Sequence, residues 1–436
     1  MITQEAGPAW ISSLSACITQ RRIFAHAVIL VLCLWGVCAA DFATPGTFDR
    51  AGNIKFQDFL SFYISGKLIA QRRAADLYNE PLRHAEMLAI AGPIDVAHET
   101  VFPPTVHTPT NVRIPNLYGP QVALVFVPLA RLPFLIAAQI WVALTLLIYF
   151  VCIYVIWRCC PNLLPHRKMT ALAAIAFPPL FHVFVRGQIS TLVLACLTAA
   201  VLALQADRLW LAGVALGFLF LKPQFLVAIP LVLLLAHAWK ILIGMVLSVS
   251  AQLALARVYF GPTVVRAYFD MLRHSSRWID TAEGSVAPIQ MHSLRSFFSL
   301  LIPWPAIAFA LYVLSSICVV WLASRVWKSQ SSVALRFSAL TLAAVLINPH
   351  LFVYDLLVMA PASLLLTDWS LQNSQHPAKP ALDVLLYLAF LLPLFGPLAH
   401  WTHLQVSVVV FVAIMWILHR IATASHKLAF AETGVV

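Results

Sequence analysis

Charge is what this sequence has least of. Only 10% of its 436 residues are Asp, Glu, Lys or Arg, where a soluble domain carries about a quarter. A soluble globular chain of this length is thereby excluded. The sequence also has no GxGxxG, Walker, HExxH or GxSxG pattern, which removes the common nucleotide-, zinc- and serine-dependent chemistries. None of the eight cysteines falls in the two long polar segments. Cys33, Cys38, Cys152, Cys196 and Cys318 lie within apolar runs, Cys159 and Cys160 in a basic loop, and Cys17 in the leader, so neither a disulfide framework nor zinc spacing is present. The N-terminus has no small-x-small cleavage site behind a convincing apolar core, so its first apolar segment is expected to remain as a helix.

What is present is apolar. Hydrophobic residues make up 61% of the chain and the mean hydropathy is +0.87. The expected fold is an all-α polytopic membrane protein, a single membrane domain over 1–436. Twelve apolar segments are predicted to span: 24–41, 134–157, 169–186, 188–206, 208–221, 223–238, 240–260, 304–324, 333–348, 351–367, 381–398 and 403–421. The apolar stretch 119–131 is too short, and Pro128 and Pro133 interrupt it, so a re-entrant or interfacial piece is expected there. The net charge of +11 does not point to nucleic acid. Its Arg and Lys gather in short loops: Arg21 and Arg22, Arg158, Arg167 and Lys168, Lys240, Arg325 and Lys328, Arg420 and Lys427. With twelve crossings all of these fall on the cytoplasmic side, together with both termini.

Two long segments, 42–118 and 261–303, then face outward, into the periplasm if the membrane is the inner (plasma) membrane of a bacterium. The first contains QDFLSFYISGKLIAQRRAADLYN, where Phe59, Phe62, Tyr63, Gly66 and Ala70 share a helical face that suits the membrane interface. Its tail, HETVFPPTVHTPTNVRIPN, is expected to be an extended, proline-rich loop. The second carries Arg266, Arg273, Arg277, His292 and Arg295 against Asp270, Asp280 and Glu283. That excess of cations on an outer face fits either an anionic ligand or a solvated loop.

Within this background a few polar residues stand out. Asp58, at the start of the first outer helix, fits a carboxylate complementing the helix dipole or a general base beside a cavity. Lys222, in FLFLKPQFL, lies between two apolar runs that are short for spans. It fits a lysine snorkelling to the interface or a contact to a phosphate. Arg186 and Gln188, in RGQIST, carry the same two readings. NPHLFVYDLL places His350, Tyr354 and Asp355 at a helix break made by Pro349, where they suit contacts to hydroxyls or phosphate. A transporter or lipid flippase is the alternative to an enzyme, but it predicts inverted repeats, and no repeat is found.

Several of these stretches, in order, resemble glycosyltransferase family 87, the polyprenol-phosphate-mannose-dependent mannosyltransferases of GT-C architecture. QDFLSFYISGKLIAQRRAADLYN resembles the family's opening signature. LYGPQVALVFVPLARLPF is similar to its Tyr-x-Pro-Pro…Pro-Leu-x-x-Leu-Pro segment, followed by a helix with a Trp, here Trp141. RGQIST, LAGVALGFLFLKPQF and the His350–Asp355 segment come next, so the resemblance spans roughly residues 24 to 367. Two departures stand out: Gly119-Pro120 replaces Pro-Pro, and Met291-His292-Ser293-Leu294 replaces a frequent Asn-Gln-Ser-Leu. The resemblance implies a membrane transferase that takes a sugar, mannose in the first instance, from a polyprenyl-phosphate donor to a glycan or glycolipid acceptor, with inversion and without metal or cofactor. It implies Asp58 as catalytic base, with Lys222, Arg186, Gln188, His350, Tyr354, Asp355, Tyr63, Tyr118, His292 and Arg295 around the substrates.

Overall fold

A computed structural model describes residues 9–92, 116–282 and 287–433. The tail of the first outer segment lies almost wholly outside the described residues, as does Glu283, and the side chains of Arg277 and Asp280 are not described either. All twelve expected segments are helical, and β pairing among the described residues is confined to two isolated bridges, Phe48 with Ile54 and Met291 with Phe352. The protein is an all-α polytopic membrane fold.

The count of twelve spans is corrected by helix length. Six helices are long and apolar enough to cross: Gln20–Phe42, Phe134–Arg158, Trp239–His274, Pro305–Lys328, Lys379–Thr402 and Val406–Ala424. Pro161–Ile175 and Pro178–Arg186 meet at 44°, where two prolines prevent continuation, the geometry of a broken span or a re-entrant loop. Ser190–Gln205, Leu209–Leu221, Pro223–Leu235 and Val333–Leu346 are shorter, and the expected segment 351–367 opens as a 3₁₀ turn, Val353–Val358, before the helix Met359–Gln372. At 1.5 Å per residue the longest of these four reaches only about 24 Å. Lys222-Pro223 and Pro349 cut these runs, and Val333–Leu346 packs on protein, buried almost throughout.

Two more expectations change. The pattern of Gln57–Ala70 predicts a helix with one face on the membrane, but the protein encloses nearly all of it, Phe59 through Gly66 being buried. Aromatic rings do this: Phe59 stacks on Phe134 and Trp141, and Phe62 on Phe126. The second outer segment is largely helix rather than loop. The helix from Trp239 breaks at Gly261 (φ 81°), just before Pro262, and then resumes to Ala282. Arg273 pairs there with Asp270 at 3.3 Å, both well exposed, so this pair is solvated surface. The stretch 119–131 divides into Pro120–Ala123 and the 3₁₀ turns Leu124–Phe126 and Leu129–Arg131, too short to cross, as its prolines predict.

Packing yields three apolar clusters. The largest gathers the inner helices around Val193, Phe337 and Phe411. Here the Leu209–Gly217 and Trp239–Ala282 helices touch backbone to backbone: a Cβ at Gly213 would fall 2.1 Å from the Ile241 carbonyl oxygen, so only glycine permits the approach. The second cluster centres on Phe59, Phe126 and Trp141, and the third on Tyr149, Leu180 and Leu357. All three meet at one short stretch of chain, where Ile189 belongs to the second, Val193 to the first and Leu194 to the third.

Candidate active site

The residues that open that junction, Gly187 to Ser190, organise the polar residues. The helix Pro178–Arg186 ends at Gly187 in the left-handed region (φ 68°). A Cβ there would lie 2.7 Å from Cβ of Phe59. The glycine therefore lets the chain press against the first turn of Gln57–Ala70, which begins after Phe56, itself at φ 54°. The indole N–H of Trp141 donates to the Gly187 carbonyl at 2.9 Å and locks this contact.

On one side of the stretch, the Gln188 amide donates from Nε2 to Oδ2 of Asp58 at 2.8 Å. Its Oε1 accepts from the Ile189 backbone N–H at 3.1 Å and from the Tyr118 hydroxyl at 3.5 Å. Arg186 donates to the side-chain oxygen of Gln57 at 3.1 Å, and no described carboxylate lies within ion-pair distance of its guanidinium. Asp58, Arg186 and Tyr118 are half-buried, whereas Gln188 is buried.

On the other side, the Lys222 ammonium donates to Oδ1 of Asp355 at 2.6 Å and to the Ser190 hydroxyl at 3.0 Å. Ser190 in turn donates to the same Oδ1 at 3.0 Å. The pair is sealed, with side-chain exposures of 1% and 2%. The Tyr354 ring stands 5.0 Å from the ammonium. Lys222 sits where one 3₁₀ turn ends and Pro223 starts the next, so its break in the helix is built into the sequence. It neither snorkels nor faces lipid.

The two sides belong to one site, since Gln188, which holds Asp58, and Ser190, which bonds Asp355, lie two residues apart. His350 flanks it, its ring edge-on to Phe352 and its N–H bonded to the Asn348 side chain at 2.9 Å. Burial pulls its pKa down to about 4; Asp355 opposes this, while Lys222 and Arg295 add to it. His292 plays a scaffold part. Its ring nitrogen Nδ1 meets the Ser407 hydroxyl at 2.8 Å, its backbone N–H donates to the Leu351 carbonyl, and burial lowers its pKa to about 3. A neutral, enclosed imidazole is no cation for a phosphate. Arg295 is half-buried and lies within electrostatic range of His350. Tyr63 stands apart from the cluster, its hydroxyl donating to the Leu132 carbonyl at 2.7 Å.

The structure thus joins Asp58, Gln188, Tyr118, Arg186, Lys222, Asp355, Tyr354, His350 and Arg295. Sequence reasoning missed Ser190 and Gln57 as members. Both lie inside the motifs quoted above, but a serine at the head of an apolar run and a glutamine beside an aspartate carry no signal until the chain is folded. Two other acids of the first outer segment are committed elsewhere. Asp76 pairs with Arg73 at 3.1 Å, and Asp49 accepts from the Asn53 backbone at 2.8 Å. No cluster of three or more His, Cys, Asp or Glu with metal-site geometry occurs among the described residues. No curated protein and no solved structure matches the chain. The model of Glycosyltransferase family 87 matches residues 116–353, more than half of the chain.

Proposed function

Because the chain belongs to glycosyltransferase family 87, and is therefore a membrane glycosyltransferase, we propose that it moves a sugar, mannose in the first instance, from a polyprenyl-phosphate donor to a hydroxyl of a lipid-linked or glycan acceptor. The reaction runs at the outer face of the membrane, with both termini cytoplasmic. Family membership sets aside the transporter reading.

The observation that carries this is the contrast in charge at the site. Asp58 has a neutral amide for its partner, and its other oxygen has no donor among the described residues. It takes the proton as the acceptor oxygen attacks the anomeric carbon. The bond from that carbon to the phosphate oxygen breaks with its electron pair, and the polyprenyl phosphate leaves already ionised. It therefore needs cationic stabilisation rather than an acid. Attack from the face opposite the phosphate inverts the centre. Lys222 has its counter-ion already, so Arg186, whose neighbour is an amide oxygen, is the foremost cation for the leaving group, with Arg295 behind it.

Membranes supplied with radiolabelled polyprenyl-phosphate sugars test the reading. Label transferred to a new glycan or glycolipid by the wild type, and not by Asp58→Asn, is the expected result. Equal transfer by both removes Asp58 as base.

A further inference from the structure

We infer that Gln188 is the positioning residue for Asp58, holding one carboxylate oxygen so that the other is aimed at the acceptor hydroxyl. The inference rests on the reading of Asp58 as the base. It reassigns Gln188, which the resemblance placed among substrate contacts.

The amide is fixed at both ends. Its oxygen faces the Ile189 N–H at 3.1 Å and the Tyr118 hydroxyl at 3.5 Å. Turning it over would oppose the NH₂ group to the Ile189 N–H and present an oxygen to a carboxylate, losing the hydrogen bonds at both ends. The donor end therefore stays on Asp58 Oδ2 at 2.8 Å. Below it the backbone cannot drift, because Gly187 is packed against Phe59 and its carbonyl is held by Trp141. Gln188 is 3% exposed, so water does not compete for either end. Asp58 itself is half-buried, and its Oδ1 has no hydrogen-bond donor among the described residues. Gln188 has its polar groups engaged by protein, which suits a support and not a sugar contact.

A general base works only when its oxygen lies within hydrogen-bond reach of the proton it removes, so a loosened carboxylate loses rate without losing donor affinity. The nearly isosteric change Gln188→Glu sets a carboxylate beside Asp58 and disfavours the ionised base.

The test is the pH dependence of kcat/KM, with donor KM measured separately, for purified protein given a polyprenyl-phosphate sugar. For Gln188→Glu the acid limb should move to higher pH by about one unit or more, with donor KM within about threefold of wild type. Gln188→Ala, which serves should the glutamate variant not fold, should lose about 10–100-fold in kcat with the same small change in donor KM. An unmoved acid limb in a folded Gln188→Glu protein, or a defect confined to donor KM, overturns the positioning role. Asp58→Asn separates the two readings. If it is inert while Gln188→Glu keeps the wild-type profile, only the positioning role falls; if it stays active, both fall.

Discussion

Asp58 and Asp355 lie on opposite sides of one four-residue stretch, and their partners differ in kind. Asp58 is held by an amide, Asp355 by an ammonium and a hydroxyl. Asp58 is half-buried and Asp355 is sealed. A neutral partner orients a carboxylate and leaves its charge available, whereas an ion pair consumes the charge to make a stable, rigid element. On the proposed reading, two identical functional groups thus serve as reagent and as counter-ion. The distinction is made by Lys222, whose ammonium pairs with Asp355 while Asp58 meets only the Gln188 amide.

The comparison breaks first at Asp58. Asp58→Asn should lower turnover by about 10²–10⁴ with expression intact, while Asp49→Asn and Asp76→Asn keep most activity in the same transfer assay. Loss confined to Asp49→Asn or Asp76→Asn would move the base elsewhere. At the other carboxylate the effect should fall on stability. Lys222→Met alone leaves Asp355 buried without its ion partner and should cost about 3–5 kcal/mol in a detergent unfolding measurement. Adding Asp355→Leu should recover much of that, because the stranded charge is gone. A double variant no more stable than the single would show that the pair is not an isolated counter-ion unit.

Smaller effects sharpen the contrast. Arg186→Ala should raise donor KM by about 10–100-fold, the loss of one charge-assisted contact to phosphate, and a change in acceptor KM alone would assign it differently. The histidines predict a pH effect on stability. Their folded pKa values, about 4 for His350 and about 3 for His292, lie below the ordinary 6.5. Between those values and 6.5 the unfolded chain binds more protons, so stability should fall as pH drops through that window. His292→Gln should flatten part of the slope, and a slope equal to wild type would remove His292 as its source. Finally, cysteines introduced at Asn79 and Ser332 should label from opposite sides of the membrane; labelling from one side would overturn the proposed topology.

Much of the site was legible because charge is so rare in this chain. Asp58, Lys222, Arg186 and Asp355 each interrupt apolar sequence, and the fold brings all four together. What the residues could not disclose was pairing across distance. Gln188 and Asp58 are 130 positions apart, and Lys222 and Asp355 are 133 apart. Lys222 looked like a free cation until its counter-ion was in place. Helix existence was legible from apolar runs, but crossing was not. An apolar run of 14 residues looks the same whether lipid or other helices surround it, and Val333–Leu346 is of the second kind. The amphipathic face of Gln57–Ala70 misled for a related reason, since aromatic side chains that suit a membrane interface also suit a cluster of other aromatics.

The stretch from Gly187 to Ser190 also bears on which length changes the chain can tolerate. Each residue added to or removed from a helix turns the downstream chain by about 100° and shifts it about 1.5 Å. A single-residue insertion between Arg186 and Ser190 could keep the amide on Asp58 or the hydroxyl on Asp355, but not both. Beyond Gln205, at the exposed turn formed by Ala206 to Arg208, the same insertion is absorbed by a loop. Natural variation in length should therefore collect at that turn and be missing from Gly187 to Ser190.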